Sequence, residues 1–189
     1  MMRAGALILL GIAAGAAALP ARAATPDTAN QHLQVTGDVP IRCKLSPPIA
    51  GTGSNTSFSQ NSNGGELDLT ALVDTTSAKT QAASGTIQFP IVCTGAHALT
   101  VSTRHGGLGN QNASGNSGGF TTHADYSLSA TWAGTTKTFT TAGAPITLDL
   151  SQSNAASGNL SLDFSLSAGQ GPLEAGTYSD DIVVDVNAQ

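Results

Sequence analysis

Few side chains in this sequence could carry chemistry, so their spacing matters. Among 189 residues there are two cysteines, four histidines, twelve acidic residues and seven Lys plus Arg. Cys43 and Cys93 could form a thiol centre, part of a metal site or a disulfide, and the compartment decides which. His32, His97, His105 and His123 stand in separate segments with no close pair. Only a convergence of His97 and His105 near Asp125 would gather zinc-type ligands, and exposed loop histidines are the simpler expectation. No serine sits in the strand-to-helix elbow of a hydrolase nucleophile. Gly106, Gly107 and Gly109 follow an apolar stretch, but no helical pattern opens after them as a phosphate cradle requires. Asp180 and Asp181 are adjacent, so on a strand they point to opposite faces. Asn55, Asn112 and Asn159 each open an Asn-x-Ser/Thr triplet, which a chain this rich in Ser and Thr produces by chance. The expectation is a non-enzyme with no metal or cofactor site and no small-molecule substrate.

Charge narrows the classes further. A net charge of −5 with 10% charged residues cannot coat a phosphate backbone, which argues against nucleic-acid binding. It also leaves too little Glu, Lys and Arg for coiled coils or long solvent-facing helices. Disorder by self-repulsion fits poorly, because the apolar residues, 40% of the chain, are patterned.

The first segment reads as an address. Arg3 precedes an apolar run from Ala4 to Leu19, followed by Pro20 and the triplet Ala21-Arg22-Ala23. This is the layout of a secretory signal peptide over residues 1–23, with cleavage near Ala23 or Ala24. The run is short for a membrane core of about 30 Å. Cleavage would remove two of the seven cations, Arg3 and Arg22, and no acid, taking the formal charge from −5 to −7. Export places the protein in the periplasm in transit, then at the cell surface or outside. In that oxidising setting Cys43 and Cys93 are expected to form a disulfide, worth about 4 kcal/mol for a loop of this size.

The remaining elements read as strands. Leu33, Val35, Gly37, Val39, Ile41 and Cys43 alternate with polar residues, the period-two signature of a half-buried strand. The pattern returns at Leu67-Leu69-Ala71-Val73, Ile87-Phe89-Ile91-Cys93 and Leu99-Val101. It continues at Tyr126-Leu128-Ala130-Trp132, Ile146-Leu148-Leu150 and Leu160-Leu162-Phe164-Leu166, and closes with Tyr178, Ile182, Val184, Val186 and Ala188. No segment after Thr25 carries a 3.6-residue stripe. Turn-forming clusters separate the strands at 46–63, 106–119, 151–158 and 169–176. The predicted fold is an all-β antiparallel Ig-like (Greek-key) sandwich in one domain. Pro40 and Pro90 lie within predicted strands, which must be edges or interrupted at those points.

The first alternating segment, 24–42, precedes the sandwich of 43–189. A terminal strand of this kind is the element most easily lent to a neighbour, by β-strand addition along an exposed sheet edge. A contact of that type is head to tail and propagates. These residues, the pair Cys43 and Cys93, Gly85-Thr86-Ile87 leading into the second cysteine, Tyr126, and the ending Ala175-Gly176-Thr177-Tyr178-Ser179-Asp180 before Ile182, Val184 and Val186 carry a resemblance. Together they resemble chaperone–usher pilus subunits of the archaic group that shares the spore coat protein U domain. The resemblance implies a sandwich lacking its last strand and completed by a donor strand. Leu33, Val35, Val39 and Ile41 would be the donor side chains, with Gly37 at the small central position. Tyr178, Ile182, Val184 and Val186 would form the terminal strand beside the groove. The implied partners are a periplasmic chaperone, an outer-membrane usher, and pilus subunits in a homo- or hetero-polymer. It also implies a Phe-Gly strand where residues 54–65 are polar, with Phe58 as its counterpart. The competing expectation is a secreted β-sandwich binding module or tip adhesin recognising a glycan or host surface.

Overall fold

A computed structural model describes residues 31, 33–62, 64–113 and 115–189. The expected signal peptide (1–23), residues 24–30 of the following segment, and His32 lie outside the described residues. The chain divides into a first unit, Met1–Gly37, and a second, Asp38–Gln189. The first unit's described residues, 31 and 33–37, are in no strand.

The second unit is built from strands alone among its described residues. In chain order they are β1 (Cys43–Leu45), β2 (Ile49–Ser54), β3 (Thr56–Asn61), β4 (Gly64–Leu69), β5 (Ala83–Cys93), β6 (His97–Thr103) and β7 (Leu108–Asn110). They continue as β8 (His123–Ala124), β9 (Tyr126–Trp132), β10 (Thr135–Thr140), β11 (Thr147–Asp149), β12 (Ala156–Leu166), β13 (Tyr178–Ser179) and β14 (Ile182–Ala188). The main sheet runs β1-β5-β12-β9-β10, with β2 also paired to β5. Smaller sheets run β11-β6-β14 and β13-β7-β8, and β3-β4 is a hairpin. Every pairing between these strands is antiparallel.

Alternation explains which face of each strand is inside. Along β6 and β9 buried and half-buried residues alternate without a break. Leu99 and Val101 of β6 meet Leu128 and Trp132 of β9, Ile91 of β5 and Leu160 and Leu166 of β12 in one core, all essentially without solvent contact. The outward positions of β9 and β10 are Ser and Thr, joined across the ladder by Ser127–Thr140, Ser129–Thr138 and Thr131–Thr136 hydroxyl bonds. An Ig sandwich places strands A, B, E and D in one sheet and C, F and G in the other. Here β1 with β2, β5, β12 and β9 with β10 take the first four places, and β6 and β14 take C and F. Among the described residues no strand takes the place of G, so the far edge of β14 is unpaired.

Several expectations need correction. The alternating segment before Cys43 forms no strand, and Pro40 with it; the ladder begins at Cys43. Alternation sets the two faces, but a strand exists only where another strand accepts its backbone groups. Residues 46–63 were expected as a turn cluster yet hold β2 and β3. All six residues of β2 are exposed, so its pairing with β5 rests on the backbone and leaves no apolar stripe to read. For the same reason β7 falls within the expected turn cluster 106–119, and polar β10 carries no apolar alternation. The start of β12 overlaps the cluster at 151–158.

Other strands are shorter than their apolar pattern. β4 stops at Leu69 because Asn55, at φ 56°, accepts from the Ala71 backbone N–H at 2.8 Å and donates to its carbonyl at 2.7 Å. β11 stops at Asp149, whose carboxylate accepts from Ser151 N–H at 2.9 Å.

Pro90 sits in β5, an interior strand. Its carbonyl accepts from Ser46 N–H at 2.9 Å, so its missing donor faces the same side, where the partner strand is broken between β1 and β2. The interruption expected of Pro90 is in its neighbour.

Candidate functional site

Three local arrangements define the candidate site: the root of the N-terminal segment, the free edge of β14, and the groove between that edge and the β3–β4 hairpin.

The root is tied down at the disulfide. Cys43 and Cys93 are register partners on β1 and β5 and are joined, with Cα atoms 4.1 Å apart. Just beyond Cys93, the Thr94 hydroxyl donates to the Pro40 carbonyl at 2.8 Å and accepts from Arg42 N–H at 2.8 Å. Thr94 N–H donates to the Arg42 carbonyl at 2.9 Å. Ile41 lies against Gly95, where an added Cβ would come within 2.9 Å of it. The segment is therefore held from Pro40 onward. Before that point the apolar positions are open to solvent, with Val39 78%, Val35 87% and Leu33 88% exposed.

The edge belongs to β14. Ile182, Val184, Val186 and Ala188 stand opposite Thr103, Val101, Leu99 and His97 of β6, and Val184 and Val186 pack half-buried against the core. Val183, Asp185 and Asn187 alternate with them and are exposed. Tyr178 was expected on this same strand. It lies instead on β13, paired with Asn110 of β7, because the chain breaks ladder at Asp180 and Asp181. Its hydroxyl lies within hydrogen-bond distance of the carbonyls of Glu174 (2.8 Å) and Thr121 (3.1 Å).

The groove, about 940 Å³, lies between Tyr178–Val183 on one side and Phe58 with Gly65–Leu69 on the other. Its floor is the inner face of the main sheet, including Ile87, Phe89, Leu162 and Phe164. Phe58 covers Gly65 so closely that a Cβ there would collide with the ring. An aromatic laid over a glycine in this way supports a hairpin edge.

The two adjacent carboxylates, in the break between β13 and β14, have opposite fates. Asp181 pairs with exposed Arg104 at 3.1 Å. Asp180, its side chain 2% exposed, accepts from His105 N–H (2.8 Å), Gly107 N–H (2.8 Å) and the Tyr126 hydroxyl (2.9 Å). Burial, and then the Asp180 carboxylate, push the Tyr126 phenol well above its usual range. This hub fixes the point at which the chain leaves β13 for β14. The sequence gives no signal for it beyond a tyrosine on an apolar face and one of two acids.

Among the described residues, His97 and His105 lie at and just past opposite ends of β6 and do not converge near Asp125. His105 stands 3.5 Å from Asp180, and His123 pairs with Asp125 at 2.9 Å. His97, expected on an exposed loop, is fully buried at the start of β6. The Trp132 indole N–H donates to its Nε2 at 3.0 Å, so Nδ1 carries the proton and donates to the Gly95 carbonyl at 3.0 Å. Cys43, Cys93 and His97 bring their ligand atoms within 4.8 Å of one another. The sulfurs are bonded to each other and both ring nitrogens are taken, so this cluster is built as structure. Asn55 has its amide committed to backbone carbonyls, and the Asn159 amide donates to Gln88 at 2.9 Å.

No helix among the described residues is long and apolar enough to cross a membrane. The sequence matches no protein-family profile and no curated protein.

Proposed function

We propose that the protein is a structural subunit of a surface pilus or fimbria that polymerises by strand donation, the N-terminal segment of one subunit filling the groove of the next. The observation that carries this reading is the unpaired edge of β14, whose first residues, Ile182 and Val183, line an open, apolar-floored groove. An edge of seven residues with one charge is a template for pairing, and proteins that stay monomeric blunt such edges. The segment preceding the disulfide has the matching chemistry, with apolar residues at alternate positions and, among its described residues, no strand partner of its own. In this reading the subunit is exported, a periplasmic chaperone covers the groove in transit, and an outer-membrane usher passes it to the fibre.

The test is assembly of the purified chain with and without Val39→Asp. Val39 is 78% exposed in the monomer, so the charge should leave the unfolding midpoint unchanged while abolishing polymer. Loss of folding in Val39→Asp, with no polymer from the unsubstituted chain, would make the segment an integral strand and end the donor reading. A soluble one-to-one complex on co-expression with a periplasmic chaperone is the second expected outcome.

A further inference from the structure

Among the described residues, β10 (Thr135–Thr140) and β14 (Ile182–Ala188) each end a sheet with a long strand. The other sheet ends are interrupted or short. β1 and β2 share one side of β5, with Pro47 and Pro48 between them, and the β2 register shifts between Ala50 and Gly53. β11 has three residues, and β8 and β13 have two each. The β3–β4 hairpin carries Glu66 and Asp68. Bulges, prolines, short strands and charges are the devices by which sheet edges avoid other molecules.

β10 and β14 differ in a way their composition hides. Each carries one charged residue, Lys137 and Asp185. Asp185 stands opposite Thr100 of β6, between the core positions Leu99 and Val101, so it lies on the outward face. Lys137 stands opposite Ala130 of β9, which has no solvent contact, so it lies on the inward face. Its neighbour on that face, Phe139, is buried, yet Lys137 is exposed. A lysine in such a place runs its stem along the apolar surface and carries its charge out past the sheet edge. Asp149 of β11, in the facing sheet, feels that charge: bonds from Ser151 first, and Lys137 last, hold its carboxyl below the usual range. The ammonium therefore stands at the mouth between the two sheets, where an inward side chain of any added strand would have to go.

We propose that Lys137 closes the β10 edge to a second copy of this chain. The inference stands on the sheet geometry; only its consequence, that subunits join through β14 and not through β10, rests on the donor reading.

Without the lysine this edge is a good template. Its other residues are Thr and Phe, which favour strands, and its outward threonines Thr136, Thr138 and Thr140 are uncharged. The partner that fits is β10 of a second copy across a two-fold axis, an antiparallel pairing that continues the main sheet through both molecules. Keeping inward residues on the inward face leaves two alignments of useful length. Paired over Thr135–Phe139, Lys137 meets Lys137 of the second copy. Paired over Thr136–Thr140, each Lys137 meets Phe139. The first sets like charges directly opposite each other. The second presses a charge against a buried ring and strips its water. One residue defeats both.

The test uses the full chain in the Val39→Asp background, so that strand donation adds nothing to the mass. Sedimentation equilibrium compares the parent with Lys137→Val, Lys137→Thr and Lys137→Arg, and with Lys79→Val, which removes the same charge from an exposed turn. Lys137 is exposed, and threonine already fills its neighbours, so the second variant keeps the test open should valine disturb folding. The expected result is a discrete dimer with Lys137→Val and Lys137→Thr, with slower amide exchange along Thr135–Thr140. The parent, Lys137→Arg and Lys79→Val should stay monomeric at the same concentration. Monomer throughout overturns the proposal, as does a dimer whose β10 amides exchange as fast as the parent's. Dimerisation of Lys79→Val would assign the effect to net charge, and dimerisation of the parent through β10 would show the edge to be open; either result ends it. Polymerisation of the unsubstituted chain is measured separately: its absence removes the donor reading and leaves the role of Lys137 to be decided by these variants.

Discussion

His97 and Trp132 meet edge to face in the core, ring centroids 5.9 Å apart and planes at 73°, with the indole N–H held by the imidazole Nε2 at 3.0 Å. Both are essentially without solvent contact, so each satisfies a polar atom that no water can reach. His97→Phe should strand the indole donor and cost about 1–3 kcal/mol in urea unfolding. Trp132→Phe should cost a comparable amount through the orphaned acceptor and lost volume. The double variant should lose less than the sum, because removing both partners removes the desolvation penalty. An unchanged midpoint for His97→Phe would show that the contact carries no stability.

The disulfide closes a loop with a sequence separation of 50 residues and lies directly across the β1–β5 ladder. Replacing both cysteines by serine should lower the unfolding free energy by about 4 kcal/mol, chiefly by freeing the unfolded chain. Denaturant titration of the oxidised and double-serine forms measures it. A loss under about 1 kcal/mol would mean that the native ladder already holds β1 without the bond. Because β1 continues from Pro40–Arg42, the same variant should also loosen the root of the N-terminal segment, seen as faster amide exchange at Thr94.

Tyr126 makes stability fall on the alkaline side. Its phenol, usually near 10, is raised in the folded protein by burial first and by the Asp180 carboxylate second. The unfolded chain therefore gives up this proton at a pH where the folded chain keeps it. The contribution is fully present below about pH 10 and is lost as pH climbs toward the folded value, by up to about 1.4 kcal/mol per pH unit. Tyr126→Phe should flatten this alkaline limb. At neutral pH it should cost about 1.5–3 kcal/mol, since the bond it removes ends on a buried carboxylate. Chemical denaturation at a series of pH values from 8 to about 11 checks both. An alkaline limb of equal slope in the variant would assign it to other groups.

The legible part of this fold was the part where apolar burial and alternation coincide. β5, β6, β9, β12 and β14 each carry a stripe ending in the core, and their sequences show it. The edges were not legible. β2 is exposed at all six residues and β10 is mostly polar, so pairing of backbone groups, which every sequence owns, holds them in place. The opposite failure occurred at Leu33–Ile41, where alternation is strongest and no strand forms. Alternation reports that one face suits burial; it does not say against which molecule. Of the candidate site, the cysteine pair was readable from count and export. The Asp180–Tyr126 hub was not, because its members are separated by 54 residues and joined only through the closing of the sandwich.

Gly37 gives the sharpest separation between folding and assembly. In the monomer it is exposed, and an added side chain meets nothing within 4 Å. Gly37→Val should therefore leave unfolding within about 0.5 kcal/mol of the parent, as surface substitutions usually do. In the fibre two effects oppose each other. Valine favours the extended backbone, on a propensity scale that spans about 1 kcal/mol in all. Where the donated segment packs against the neighbouring subunit, its extra carbons must be forced into filled space, which costs about 1–3 kcal/mol. The clash should win over most of that range and weaken the subunit contact by up to roughly 30-fold, at about 1.4 kcal/mol per tenfold. Polymer yield at a fixed subunit concentration, read by sedimentation, measures it, with Thr36→Val as the control on the outward face. Unfolding of the Gly37→Val monomer would place Gly37 in the native fold. Polymer forming more readily with Gly37→Val than with glycine would mean that position 37 faces open space in the fibre.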